Sequence, residues 1–318
     1  KRTERRINYS VDSRSARDVL GLEGDPKDSK ETFFVDIVKG GAYVNDQRLA
    51  WAMADVAPKA AKELTDWGFE FWKVVKNPGH SYPRGCYGLP KKGASGPQMI
   101  NVCKKYFLGH GDTEIVGDTI ALDLLTSGGK ICGATSLNQM TGEFVVYRAK
   151  AVVLATGGGL GVYPHHPTHG FDLSGDGHAM AYRAGAEMMD IQYVQFVGDP
   201  QLWPPEPKLP GRLLIYLLVG WVTHWYNRFG ERFMKKWDPV RMEQATRDVR
   251  TLAKAIEIME GRGGPHGGIF VSIKHMPPNI IDFIQEWIQL PKDTWKTFKP
   301  GLDLLKSGIA VEVGAGTC

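Results

Sequence analysis

The chain has 318 residues, 42% of them apolar and 23% charged, enough for two average domains with a sizeable core. Thirty-nine basic against 35 acidic side chains leave a formal charge of +4, too small a surplus to set up a nucleic-acid or membrane-surface field. The longest apolar run, residues 213–222, is too short to span a bilayer and reads as core.

Residues 1–30 are polar and lack an apolar period, so they read as an extended arm whose basic start, KRTERR, is a solvated tail. Helical spacing follows over residues 46–68: Leu49, Met53, Val56, Ala60 and Leu64 share one face, and Gly68 stops the helix. Pro and Gly punctuate residues 76–98, a long loop of the kind that often carries function. A short helix, QMINVCKKYFLGHG, then ends at Gly109. Next come three alternating segments, TEIVGDTIALDLLTS, KICGATSLNQ and EFVVYRA, joined by the turns SGGK and MTG, which predict a small antiparallel meander. The run AVVLA (151–155) is apolar throughout and predicts a parallel strand covered on both faces.

Beyond residue 196 the texture changes. Residues 197–211 hold five prolines and read as a boundary loop. After it come NRFGERFM, a helical pattern over 239–263, the strand GGIFVSI and the segment PPNIIDFIQEWIQL. The final GIAVEVGAGTC runs as a strand to the last residue, which suggests part of a longer polypeptide. Cys86, Cys103, Cys132 and Cys318 form no CxxC pair, which argues against a zinc knuckle or an iron–sulfur ligand set in this chain. Few, scattered cysteines suit a reducing compartment. No metal site is expected: His165, His166 and His169 cluster, but a loop near phosphates accounts for them equally well.

The segment from Ala149 to Phe196 carries the chemistry. Its apolar strand breaks into Gly157, Gly158 and Gly159, and Gly175 and Gly177 open a helix of small residues. Glycine is required where φ must be positive or where something touches the main chain. Ligands of open α/β sheets bind at the carboxyl ends of strands, and a helix N-terminus headed by Asp176 as cap attracts phosphate or a polarised ring oxygen. Either cluster alone is explained by a sharp turn and a close-packed helix. Two together suit a large, flat, phosphorylated cofactor. GGGLGV imitates a dinucleotide fingerprint, but without its third glycine or the acidic residue that should follow.

AKAVVLATGG, GDGHAMAYRAGAEMMDIQYVQF, NRFGERFM, TRDV and EGRG resemble, in order and spacing, the fumarate reductase/succinate dehydrogenase flavoprotein superfamily, which includes the flavoproteins of L-aspartate oxidase and adenylylsulfate reductase. The resemblance implies an α/β fold. Residues 1–196 would be a Rossmann-like FAD-binding domain, incomplete at its N-terminus because the GxGxxG segment is missing, and residues 197–318 an α+β capping domain. It implies FAD as cofactor, held by Ala155, Thr156, Gly157, Gly158, Gly175 and Asp176. It also implies a reaction in which an activated C=C bond is reduced or formed. Arg247 of TRDV would handle the proton, and Asp248 would orient it.

Departures from the pattern matter as much. Dicarboxylate-using relatives follow QF with HPT, whereas here the sequence is QFVGDP and Val197 replaces the histidine. Ile215, Tyr216 and Val219 stand where those relatives carry Thr, Glu and Arg. A bare carboxylate is costly to bury without donors, so a substrate less charged than fumarate or succinate is expected, lined by Tyr216, Trp221 and His224. Besides the small-molecule substrate, the resemblance implies one protein partner, an iron–sulfur electron-transfer subunit. No nucleic acid and no membrane span of the chain's own are expected. Localisation would be cytoplasmic, membrane-peripheral through partner subunits. Two rivals remain: an electron relay inside an iron–sulfur complex, and an adenylylsulfate-reductase-like enzyme.

Overall fold

The computed structural model describes residues 9–77, 79–89, 95–109, 111–163, 173–194, 200–205, 223–279, 306–307 and 310–315. By contacts the chain divides into two units. One comprises Lys1–Thr113, Gln244–Thr246 and Ile273–Ser307, the other Glu114–Glu243, Arg247–Ser272 and Gly308–Cys318. The domain boundary expected at residues 196/197 lies outside the described residues.

The first unit begins with β1 (Tyr9–Ser10) and α1 (Ser13–Leu20), so the N-terminal stretch expected to be an arm is structured from Tyr9 onward. The cue in the sequence is a short cap signal. Asp12 accepts the Ser15 N–H at 2.9 Å, and Gly21, at φ 66°, closes the helix in the left-handed region. Helix α2 (Lys30–Gly40) is capped by Ser29, and α3 (Gln47–Asp66) by Asp46. Strands β2 (Phe71–Val75) and β3 (Gly85–Gly88) complete an antiparallel sheet in the order β1-β3-β2, and α4 (Ser95–Leu108) follows.

The face of α3 that packs is not the expected one. Ala50, Ala54, Ala57, Pro58, Ala61 and Leu64 are buried, whereas Leu49, Met53 and Val56 are 60%, 54% and 52% exposed. Alanine lets α3 approach α1 and α2 closely, and close approach outweighs the larger residues one position away. Val11, Ala16, Ala57, Ala61 and Cys86 form the core, joined by Leu20, Leu22, Phe71 and Val74. Beside it lies a buried ion cluster: Arg84 binds Asp28 through Nη2 (2.6 Å) and Nε (2.8 Å), and also binds Asp36. Asp28 accepts the Ser13 N–H at 2.7 Å as well, fastening α1 to the segment that carries Arg84.

The second unit opens with the expected meander: β4 (Thr119–Ser127), β5 (Lys130–Asn138) and β6 (Phe144–Arg148) pair antiparallel in sequence order. Gly128 and Gly129 both take positive φ (55° and 73°) between the paired Ser127 and Lys130, the mirror-image turn a tight hairpin needs. Residues 151–155 are not a strand covered on both faces. They form no ladder among the described residues, and Val153 is 88% exposed. An apolar run becomes a strand only when neighbours satisfy its backbone.

Helix α5 (Asp176–Arg183) packs against β4. Four short strands then build a second sheet: β7 (Gln201–Trp203), β8 (His224–Tyr226), β9 (Ile269–Ser272) and β10 (Val311–Val313), in the order β7-β10-β9-β8, all antiparallel. Between β8 and β9 lie α6 (Met234–Trp237) and α7 (Arg247–Met259). The helical pattern expected from residue 239 resolves into a 3₁₀ turn at Met242–Gln244 followed by α7.

Candidate functional site

The two glycine clusters meet. A Cβ on Gly159 would lie 3.7 Å from the Gly175 Cα, and one on Gly175 would lie 3.6 Å from the Gly159 Cα. A Cβ on Gly177 would fall 1.9 Å from the Thr156 Oγ1, so Thr156 seats directly on the first turn of α5. The Gly161 N–H donates to the Leu173 carbonyl at 2.8 Å, closing the loop from the other side. Gly157 and Gly175 both sit at φ 79°, where other residues are strained. Nothing lies within 4 Å of a Cβ built on Gly158, and Ala155 and Thr156 are exposed, so this stretch of main chain is open to a ligand.

Gly175, and not Asp176 as expected, is the N-cap of α5; Asp176 is the first helical residue, and its carboxylate accepts from the Ser174 hydroxyl. An αL glycine at the cap leaves the amides of the first turn unshielded by a capping side chain. That arrangement leaves them able to donate to an incoming oxygen.

Arg247 and Asp248 start α7, and both are exposed. Their neighbours are ordered by buried carboxylates. Glu243 takes two bonds from Arg232, at 2.9 and 2.6 Å, and the Trp225 N–H at 3.0 Å. Burial pushes the Glu243 carboxyl up, but the Arg232 guanidinium and the Trp225 N–H outweigh it and hold it below the ordinary carboxylate range. Glu257 is held low by Arg262, against burial, with help from the Asn227 amide.

Of the three expected substrate-lining residues, His224 is half-buried on β8 with its Nδ1 3.3 Å from the Tyr226 hydroxyl. Tyr216 and Trp221 lie outside the described residues, as do His165, His166 and His169. The fully buried Glu312 was not anticipated. It accepts the His266 and Gly268 N–H groups at 3.0 and 3.2 Å and faces the His266 Nδ1 at 2.8 Å. The His266 ring stacks on Trp203 with centroids 4.1 Å apart. Forty-six positions separate His266 from Glu312, so no local spacing could have linked them.

A profile of the FAD binding domain family matches residues 10–301. The chain belongs to the fumarate reductase/succinate dehydrogenase flavoprotein superfamily. FAD is its cofactor, and the open glycine cradle fits that group. The flavoprotein of the CoM/CoB fumarate reductase of Methanothermobacter marburgensis is 34% identical over 265 residues, covering 81% of this chain and 47% of that protein. The succinate dehydrogenase flavoprotein subunit of Rickettsia bellii is 32% identical over 292 residues, covering 87% and 47%. Mycobacterium smegmatis Sdh1, solved in complex with UQ1, superposes with a TM-score of 0.73 at 28% identity, over 97% of this chain and 51% of the other. The chain thus spans about half the length of the curated relatives it matches. Among the described residues no helix is long and apolar enough to cross a membrane, and no cluster of metal-competent side chains occurs.

Proposed function

We propose that this chain serves an FAD-dependent oxidoreductase that reduces or forms an activated C=C bond. The observation that carries this reading is the contact of Gly159 with Gly175 beside Thr156 on Gly177, a main-chain cradle in a member of an FAD-binding family. When bound there, FAD supplies hydride at one carbon of the substrate. The chain's own residues act on the rest. Ala155, Thr156, Gly157 and Gly158 border the flavin, and Gly175 and Asp176 present the α5 amides to its polar atoms.

Arg247 moves the proton at the other carbon, and Asp248 beside it orients the guanidinium. Arginine is a weak acid in water, with a pKa above about 12, so transfer must accompany charge build-up on the substrate. Its place in the first turn of α7 favours this, because the positive helix end disfavours a cation there. His224, with Tyr216 and Trp221, lines the substrate side, and residues 197–318 close over the site as a cap. Val197 and Val219 supply no donor for a second carboxylate, which supports a substrate less charged than fumarate or succinate. An iron–sulfur subunit is the proposed electron partner, with the assembly cytoplasmic and membrane-peripheral through it.

The test replaces Arg247 with Ala in the flavin-loaded protein and follows viologen-linked reduction of small enoyl compounds. Turnover falls at least about a thousandfold while bound flavin is retained, in line with loss of a general acid. Unchanged electron flux points instead to a relay role. Adduct formation with sulfite plus AMP, without enoyl turnover, points to adenylylsulfate-type chemistry.

A further inference from the structure

The inner face of α7 carries three cations in a line. Arg250 is one turn beyond Arg247, about 60° round and about 4.5 Å along, and Lys254 is two turns on, almost directly behind Arg247. Burial deepens along this line: Arg247 is exposed, Arg250 half-buried and Lys254 fully buried. Arg250 and Lys254 both lie over the Trp225 ring, at 5.7 and 4.7 Å from its centroid.

The carboxylates close to this face are already committed. Glu243 is taken by Arg232 and the Trp225 N–H, and Glu257 by Arg262 and Asn227. The Arg250 guanidinium makes a long hydrogen bond, 3.4 Å from an Nη to the Glu243 carbonyl, and its buried Nε has no hydrogen-bond partner. An unsatisfied buried donor is costly, and on a guanidinium the natural complement is a carboxylate oxygen.

Resting on the function proposed above, we propose that Arg250 is the residue that binds the anionic end of the substrate, and that the substrate is a monoanionic enoate. One carboxylate, placed between Arg250 and the open end of α7 where Arg247 stands, meets the Nε donor and puts its C=C within reach of Arg247. Lys254, deeper on the same face, adds positive potential without contacting the ligand. The absence of a second such donor at positions 197 and 219 matches a single negative charge.

Calorimetric titration of the flavin-loaded chain with crotonate and with its neutral analogue crotonamide tests this. Crotonate binds saturably and at least tenfold more tightly than the amide, and Arg250→Gln abolishes the preference. Arg250→Lys keeps the charge but lacks the Nε donor and the fork, so it retains only part of the preference; this variant carries the test should the Gln variant fail to fold. Equal affinity for acid and amide in the unaltered chain, including binding of neither, overturns the assignment, as does a preference that survives both substitutions. Flavin-dependent reduction of crotonamide that persists through such a result shows that only the anion assignment has failed, whereas absence of any enoyl reduction by the unaltered protein removes the underlying reading.

Discussion

Arg84 in the first unit and Arg250 in the second are both guanidiniums lying over aromatic rings, 5.1 Å from Phe33 and 5.7 Å from Trp225. Their electrostatics differ completely. Arg84 is closed off by Asp28 and Asp36, and every charge in that cluster has its counter-charge within the fold. Arg250 has a neutral carbonyl at the edge of hydrogen-bond range and an orphaned Nε. A closed cluster holds structure together, and an open one is a place where a ligand completes the set. The contrast separates a residue that stabilises from one that recognises, although both are arginines in similar company.

The contrast breaks most sharply at its closed side. Arg84→Met leaves two buried carboxylates without a cation and costs about 3–5 kcal/mol, visible as a large drop in the melting temperature. Arg250→Gln should leave that temperature nearly unchanged, and a comparable drop there would erase the distinction. A smaller effect sharpens the view of the cradle. Gly177→Ala forces a methyl group onto Thr156 and costs about 1–3 kcal/mol together with flavin retention, read from the absorbance of the purified protein. Thr156→Ala in the same chain relieves the clash and restores the flavin. A restoration failure would mean that α5 depends on Gly177 for some other reason.

The mildest effect concerns acid. Glu243 and Glu257 titrate below their ordinary value when folded, so their ion pairs stabilise the second unit fully above about pH 4.3, the unperturbed value. That contribution is lost as pH falls through the lower folded values, and denaturant melts should show a decline beginning near pH 4. Glu243→Gln lowers stability at neutral pH but makes its acid dependence shallower.

The parts of the fold legible in the sequence are those written locally. SGGK announces its hairpin because only a two-residue turn with positive φ fits between alternating strands, and the glycine clusters announce their meeting because two side-chain-free patches so close together suit one shared ligand. The packing face of α3 is hard to read because apolar bulk is easy to see, whereas the advantage of alanine appears only when a neighbouring helix is in place. The run at 151–155 misleads for a related reason: apolarity shows that a segment can be covered, not that it is. Arg84 with Asp28, Arg232 with Glu243 and His266 with Glu312 are invisible, since each partnership is created by the tertiary fold. Arg247 is legible through its resemblance to a motif, and Arg250, three residues on, is not.

The hairpin turn at Gly128–Gly129 also has a consequence in time. Strands β4 and β5 are neighbours along the chain and can zip from that turn within about 1–10 μs, with β6 adding by another short connection. The sheet behind α7 has no such shortcut, because Trp203 must find Glu312 across most of the second half of the polypeptide. Refolding should therefore proceed at two speeds, with the meander as an early nucleus and the β7–β10 pairing as the slow closing step.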